Sequence, residues 1–192
     1  MIFLIIISIY LEISKANFHE LTELELGANS ISDIKPMKNF PFNKLEKLGL
    51  YDNCIEKIDS LFEVPFYYLK ELILSNNKIR DISSLSKVKF NNLINLRLDC
   101  NQISDIGVFS QVSFNKLRYL DLRENQIKDI SVFSSIPFIF LDCLKIAKNK
   151  ITDFRVLSFV PFKYKLSIFV DSYQNFLIQK TPTKSNLSFY LD

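Results

Sequence analysis

The chain has 192 residues, enough for one domain with a sizeable core, and no shift in composition marks a second. Hydrophobic residues make up 48% and charged residues 23%, the proportions of a globular protein, which exclude disorder over most of the length. The 24 basic and 21 acidic residues give a net charge of +3 and are interspersed without long runs of one sign, so no nucleic acid or other polyanionic partner is implied.

At the N-terminus, Met1 to Ile13 is almost wholly apolar, and Ser14-Lys15-Ala16 loosely resembles a signal-peptidase site. There is no Lys or Arg ahead of the apolar stretch, and the stretch is too short to span a bilayer. The repeat described next offers another explanation. Shifted 24 residues upstream, its frame puts Ile7, Tyr10, Ile13 and Phe18 on the apolar positions of a partial coil. Residues 1–20 are therefore read as a degenerate first coil, with a signal-like segment as the alternative.

Residues 21–164 hold six repeats of 24 residues. Asn29, Asn53, Asn77, Asn101, Asn125 and Asn149 recur without slippage. Eight, five and three residues before each Asn stand leucines, with Ile146 as the one exception. An Ile follows each Asn by two residues, and a Phe follows by thirteen: Phe42, Phe66, Phe90, Phe114, Phe138 and Phe162. All 48 pattern positions, eight in each repeat, are apolar, far more than a chain of 48% hydrophobic residues gives by chance.

Each LxxLxL stretch alternates inward and outward residues and predicts a short strand, and six of them side by side predict a parallel sheet. Where the chain leaves the strand, an Asn amide can donate to and accept from backbone groups that no regular structure satisfies, so the six Asn are read as a structural ladder. Asp33, Asp81, Asp105, Asp129 and Asp153, four residues after Asn, are placed as N-caps of short helical turns; the second repeat has Lys57 there and Asp59 two residues on. Pro41, Pro65, Pro137 and Pro161 precede the Phe, which is read as a stacked buried column.

The unit LxxLxLxxNxIxDIxxLxxVxF resembles the leucine-rich repeat family over residues 21–162. The resemblance implies an α/β solenoid of right-handed coils, with a parallel β-sheet on the concave face and short helical or irregular turns on the convex face. The Ile-x-Asp-Ile stretch is similar to the subclass that includes a protein phosphatase 1 regulatory subunit and the internalins, although this repeat is two residues longer and adds the Phe column. Downstream, residues 165–192 are read as a degenerate seventh strand, where Lys165 replaces the first Leu and Tyr173 the Asn, followed by an irregular cap or loose tail.

Leucine-rich repeat proteins generally bind partners on the concave face, so function is expected in the outward strand residues. The expected protein-binding set is Tyr51, Ile73, Asn95, Arg97, Asp99, Tyr119, Asp121, Arg123 and Lys145, because Tyr and Arg most often anchor interfaces. A second reading stays open, in which Arg97, Asp99, Asp121 and Arg123 merely pair with one another across neighbouring strands.

Catalysis is not expected. The single His, His19, has no nucleophile placed near it in the repeat geometry, and Cys100 and Cys143 have no His partner. Phosphate-binding loops and metal-spaced carboxylates are absent from the sequence, so no cofactor, metal or small-molecule substrate is expected. Three cysteines without CxxC spacing suit a reducing compartment. The resulting expectation is a non-catalytic cytoplasmic scaffold or regulatory module that binds a protein partner. The alternatives are a secreted or anchored recognition module, in which Asn186-Leu187-Ser188 is a glycosylation sequon, and the binding arm of a larger enzyme.

Overall fold

The computed structural model describes residues 18–64, 66–88, 90–135, 140–159, 165–179 and 187–192. The N-terminal segment read as a coil or signal peptide falls outside them, apart from a 3-10 turn at Phe18–Glu20. Seven strands follow at regular intervals: β1 Glu23–Glu25, β2 Lys47–Gly49, β3 Glu71–Ile73, β4 Asn95–Arg97, β5 Tyr119–Asp121, β6 Cys143–Lys145 and β7 Leu166–Val170. With β8, Leu187–Leu191, they form one parallel sheet in sequence order. The first six are three residues long because only the LxL core alternates before the Asn turns the chain.

Register is fixed by the repeat. Leu24, Leu48, Leu72, Leu96, Leu120, Leu144 and Ile168 lie opposite one another from strand to strand. A slip by one residue would turn every Leu outward. From Leu48 onward these side chains are fully buried, together with the flanking leucines and the Ile residues that follow Asn. Phe42, Phe66, Phe90 and Phe114 stack along the solenoid with ring centroids 6.0 to 6.1 Å apart. Phe138 and Phe162 lie outside the described residues.

The Asn side chains knit each coil to its neighbours. Asn101 Nδ2 donates to the carbonyls of Leu98 and Asp99 in its own coil and of Leu74 in the preceding one, while its Oδ1 accepts from the Ile79 amide. The same four bonds recur at Asn53, Asn77, Asn125 and Asn149. Asn29 is exposed and, among the described residues, bonds to Leu26 and Gly27.

Just before each Asn, the chain takes a left-handed residue: Ala28, Asp52, Asn76, Cys100, Glu124 and Lys148 have φ between 52 and 56°. None is glycine. A left-handed L-residue costs roughly 1–2 kcal/mol, and the cost recurs in every coil because this kink aims the Asn amide inward. Nothing in the side chains at these positions announces it, apart from Asp52 and Asn76.

On the opposite side the chain forms 3-10 turns, among them Ser83–Lys87, Gly107–Ser110 and Ser131–Ser134. The Asp residues expected to be N-caps stand one residue too early for that. Asp33, Asp81, Asp105, Asp129 and Asp153 each accept from the backbone N–H two residues on, an Asx turn, and the intervening Ile or Phe takes the cap position without a side-chain bond. The second coil, lacking that Asp, still forms its turn at Asp59–Glu63.

The C-terminal segment is more regular than a loose tail. The helix α1, Ser172–Ile178, opens on a capping box in which the Asp171 carboxylate accepts from the Gln174 amide while the Gln174 side chain accepts from the Asp171 N–H. Buried Gln174 also donates to the Ile146 carbonyl at 3.2 Å. That carbonyl is the one a further ladder Asn would take, so Gln174 closes the row where Tyr173 stands in the Asn position. The strand β8 then pairs with β7 over five residues from Leu166↔Leu187 to Val170↔Leu191.

Candidate protein-recognition face

The sheet presents two rows of outward residues. One runs Glu23, Lys47, Glu71, Asn95, Tyr119, Cys143 and Ser167, and the other runs Glu25, Gly49, Ile73, Arg97, Asp121, Lys145 and Phe169. Tyr51, Ser75, Asp99 and Arg123 follow two residues further along, at the strand ends. Strands about 4.8 Å apart spread these rows over roughly 34 Å from β1 to β8.

The first half of the face is open. Tyr51, 36% exposed, lays its ring over Gly27, where an added Cβ would stand 2.3 Å from the ring. Lys47 bonds Glu25 at 2.7 Å, and the Glu25 carboxylate covers Gly49 in the same way. Ile73 is half-exposed beside Arg97.

From β4 onward the side chains interlock. The Arg97 guanidinium sits 5.3 Å from the Tyr119 ring centre, and Lys145 lies 5.9 Å from the same ring and 4.9 Å from that of Phe169. Phe169 stacks on Tyr190 of β8 at 5.2 Å. Arg123 grips Asp121 with two bonds, of 2.9 and 2.7 Å, and its other terminal nitrogen reaches both carboxylate oxygens of Asp192. Tyr119 donates to Asp121 at 3.1 Å.

Five of the nine expected residues thus meet in one cluster, and Asn95 adjoins it in register with Tyr119. Asp121 is only 1% exposed and lies beneath Arg123, where it positions the guanidinium. None of the four charged residues Arg97, Asp99, Asp121 and Arg123 forms an ion pair with another of them across strands. Arg123 takes Asp121 on its own strand, Asp99 accepts from the Ser75 hydroxyl at 2.6 Å, and Arg97 lies at cation-π distance from an aromatic ring. The sequence reading missed Phe169, Tyr190 and Asp192. Phe169 stands 24 residues after Lys145 and was readable from the period; β8 pairs at an offset of 21, which hid the other two.

Burial, followed by the neighbouring Asp121 carboxylate, raises the Tyr119 hydroxyl pKa, so the ring keeps its proton and its bond to Asp121. Hydrogen bonding to Asp121 raises Arg123 further into the always-charged range. The Cys100 thiol is pushed up to about 11 by burial and then by Glu124 and Asp99, and burial also raises Cys143. Both thiols are thereby drawn away from the thiolate form that a nucleophile requires. Among the described residues, no group of three or more His, Cys, Asp or Glu side chains is placed to hold a metal, and no helix is long and apolar enough to cross a membrane.

A family model for two leucine-rich repeats matches residues 69–111, and a second leucine-rich repeat model matches residues 91–142. Together with the eight-stranded parallel sheet and its 24-residue register, these matches decide the family. The chain is a leucine-rich repeat protein. No curated protein matches its sequence.

Solved structures resemble this leucine-rich repeat chain over most of its length. Internalin C2 of Listeria monocytogenes is 26% identical at a TM-score of 0.68, over 91% of this chain and 72% of its own. Internalin F of the same organism is 19% identical at 0.64, over 94% of this chain and 62% of its own. The ectodomain of the Arabidopsis thaliana receptor kinase GASSHO1/SCHENGEN3, solved in complex with CASPARIAN STRIP INTEGRITY FACTOR 2, is 18% identical at 0.53, over 90% of this chain and 19% of its own. The repeats are internalin-like, and leucine-rich repeat domains are in general protein-interaction modules.

Proposed function

We propose that this leucine-rich repeat chain is a non-catalytic scaffold that holds a protein partner against its open sheet face. Tyr51, Ile73, Asn95, Arg97, Asp99, Tyr119, Arg123 and Lys145 make the contact, and Asp121 braces them from below. The observation that carries this reading is the clustering of Arg97, Tyr119, Lys145, Phe169 and Tyr190 on one side of the sheet. Aromatic side chains anchor interfaces because they bury much area at a low rotamer cost, and arginine because its planar fork donates several hydrogen bonds and stacks on rings. A face about 34 Å long suits a protein interface of standard size.

The three thiols, all free in the structure, support an intracellular location, where reduced cysteines persist. The test is affinity capture from native cells, with the wild-type chain compared against Arg97→Glu combined with Tyr119→Ala. A partner held by the wild type and lost by a folded double variant is the expected result. Equal capture by both would move the binding surface to the turns or to an end of the solenoid.

A further inference from the structure

Two side-chain polar atoms among the described residues are buried without any hydrogen-bond partner, Asn95 Oδ1 and Arg97 Nε. They belong to the same strand, two residues apart, and so point to the same face in the two adjoining outward rows. One is an acceptor and the other a donor. Leaving such a group unpaired costs roughly 1–3 kcal/mol, so two of them side by side in an otherwise well-bonded solenoid mark a place where a further group, from water or from a ligand that displaces it, completes them.

The surroundings define what that ligand is. Asn95 lies between Glu71 and Tyr119 in register, and Arg97 lies between Ile73 and Asp121. Tyr119 and Ile73 supply apolar walls on opposite strands, and the Arg97 guanidinium is held beside the Tyr119 ring. A carboxylate could accept from Arg97, but its second oxygen would meet the Asn95 carbonyl oxygen and the nearby Glu71, Asp99 and Asp121 carboxyl groups. An ammonium group could donate to Asn95 but has no acceptor to offer the Arg97 Nε–H. A neutral group that accepts on one side and donates on the other satisfies both atoms without adding charge. Both residues are part-exposed, so a group bound at the surface reaches the covered atoms with a rotamer change of the two side chains on binding.

We infer that Asn95 and Arg97 form a carboxamide subsite, which takes the side chain of an Asn or Gln presented by the protein partner, its oxygen on Arg97 Nε and its NH2 on Asn95 Oδ1. This subsite deepens the reading of the sheet face as the docking surface and rests on it.

The test uses the whole chain, labelled with nitrogen-15, and acetamide as the probe, with acetate and methylammonium as controls. The expected result is a saturable shift of the Arg97 Nε–H signal with acetamide and none with either ion. In Asn95→Leu the acetamide affinity falls roughly tenfold or more, the equivalent of one lost hydrogen bond. The same variant should melt at a higher temperature than the wild type, because it removes an unpaired acceptor and adds apolar cover.

An Arg97 signal unmoved by acetamide, or moved as strongly by acetate, overturns the inference, as does a fall in melting temperature for Asn95→Leu. The two readings fail separately. If acetamide is silent while the Arg97→Glu, Tyr119→Ala variant still loses its partner, the docking face stands and the subsite falls. If acetamide binds as expected while that variant keeps its partner, the docking face falls and the subsite remains as an amide site.

Discussion

The asparagine row and the sheet face both run the length of the solenoid at a fixed number of residues per coil, yet they behave in opposite ways. Asn53, Asn77, Asn101, Asn125 and Asn149 make the same bonds to the same relative positions in every coil. On the face no two coils present the same pair of side chains: Glu23 and Glu25, Lys47 and Gly49, Glu71 and Ile73, Asn95 and Arg97, Tyr119 and Asp121, and Cys143 and Lys145 follow in turn. Repetition marks what every coil needs in order to stack. Variation marks what the stack displays, and stability and recognition are thus carried by different residues of the same 24.

Interior substitutions should separate most sharply from face substitutions. Phe90→Ala removes a ring 1% exposed that stacks on Phe66 and Phe114, and should cost about 4 kcal/mol in chemical denaturation. Asn101→Ala leaves the Ile79 amide without its partner and takes one bond from each of the Leu74, Leu98 and Asp99 carbonyls, which keep their bonds to Asn77, Asn125 and the Asn76 amide, and should cost about 3 kcal/mol, whereas Asn29→Ala, exposed and with two bonds among the described residues, should cost under about 1 kcal/mol. Equal losses at the two Asn positions would mean that the ladder does not act by joining coils.

The face offers one exception that sharpens the comparison. Asp121→Asn weakens the grip on Arg123 and should cost about 2 kcal/mol, because the carboxylate is buried and charge-assisted. The smallest effect concerns Cys100. With its thiol pushed up to about 11, the folded chain should be alkylated more slowly near pH 9 than the unfolded chain, and the rate should rise only as the pH approaches 11. Time-resolved mass spectrometry reads this directly. A thiolate that forms at the same pH in both states would show that burial does not protect it.

Period alone made much of the fold legible. The Leu and Asn positions placed the strands β1 to β6 and the core, since a residue that must be buried or bonded in every coil leaves the same letter every 24 positions. What has no letter was not legible. The left-handed residues range from Ala28 to Lys148, because the conformation is imposed by the Asn that follows and not by the residue that adopts it. The Asp residues were seen, but their displacement by one position depends on the tightness of a 3-10 turn. On the face, composition gave the rows, whereas the contacts depend on β8, which leaves the frame. The eighth strand brings Tyr190 and Asp192 to side chains of β6 and β7 and to Arg123 by pairing that no repeat encodes.

The bond between Arg123 and Asp192 joins residues 69 apart, while the ladder bonds join residues 2 or 3 apart within a coil and 22 or 27 apart between adjacent coils. Contacts of short sequence separation close early and cheaply in folding, and those of long separation close late. Coils can therefore nucleate and zip locally, and this clamp on the sheet face closes only after the strands between β5 and β8 have been laid down in order. It works as a tally of correctly stacked coils: a skipped or slipped coil would carry Asp192 about 4.8 Å out of place for each strand and leave Arg123 without its second carboxylate.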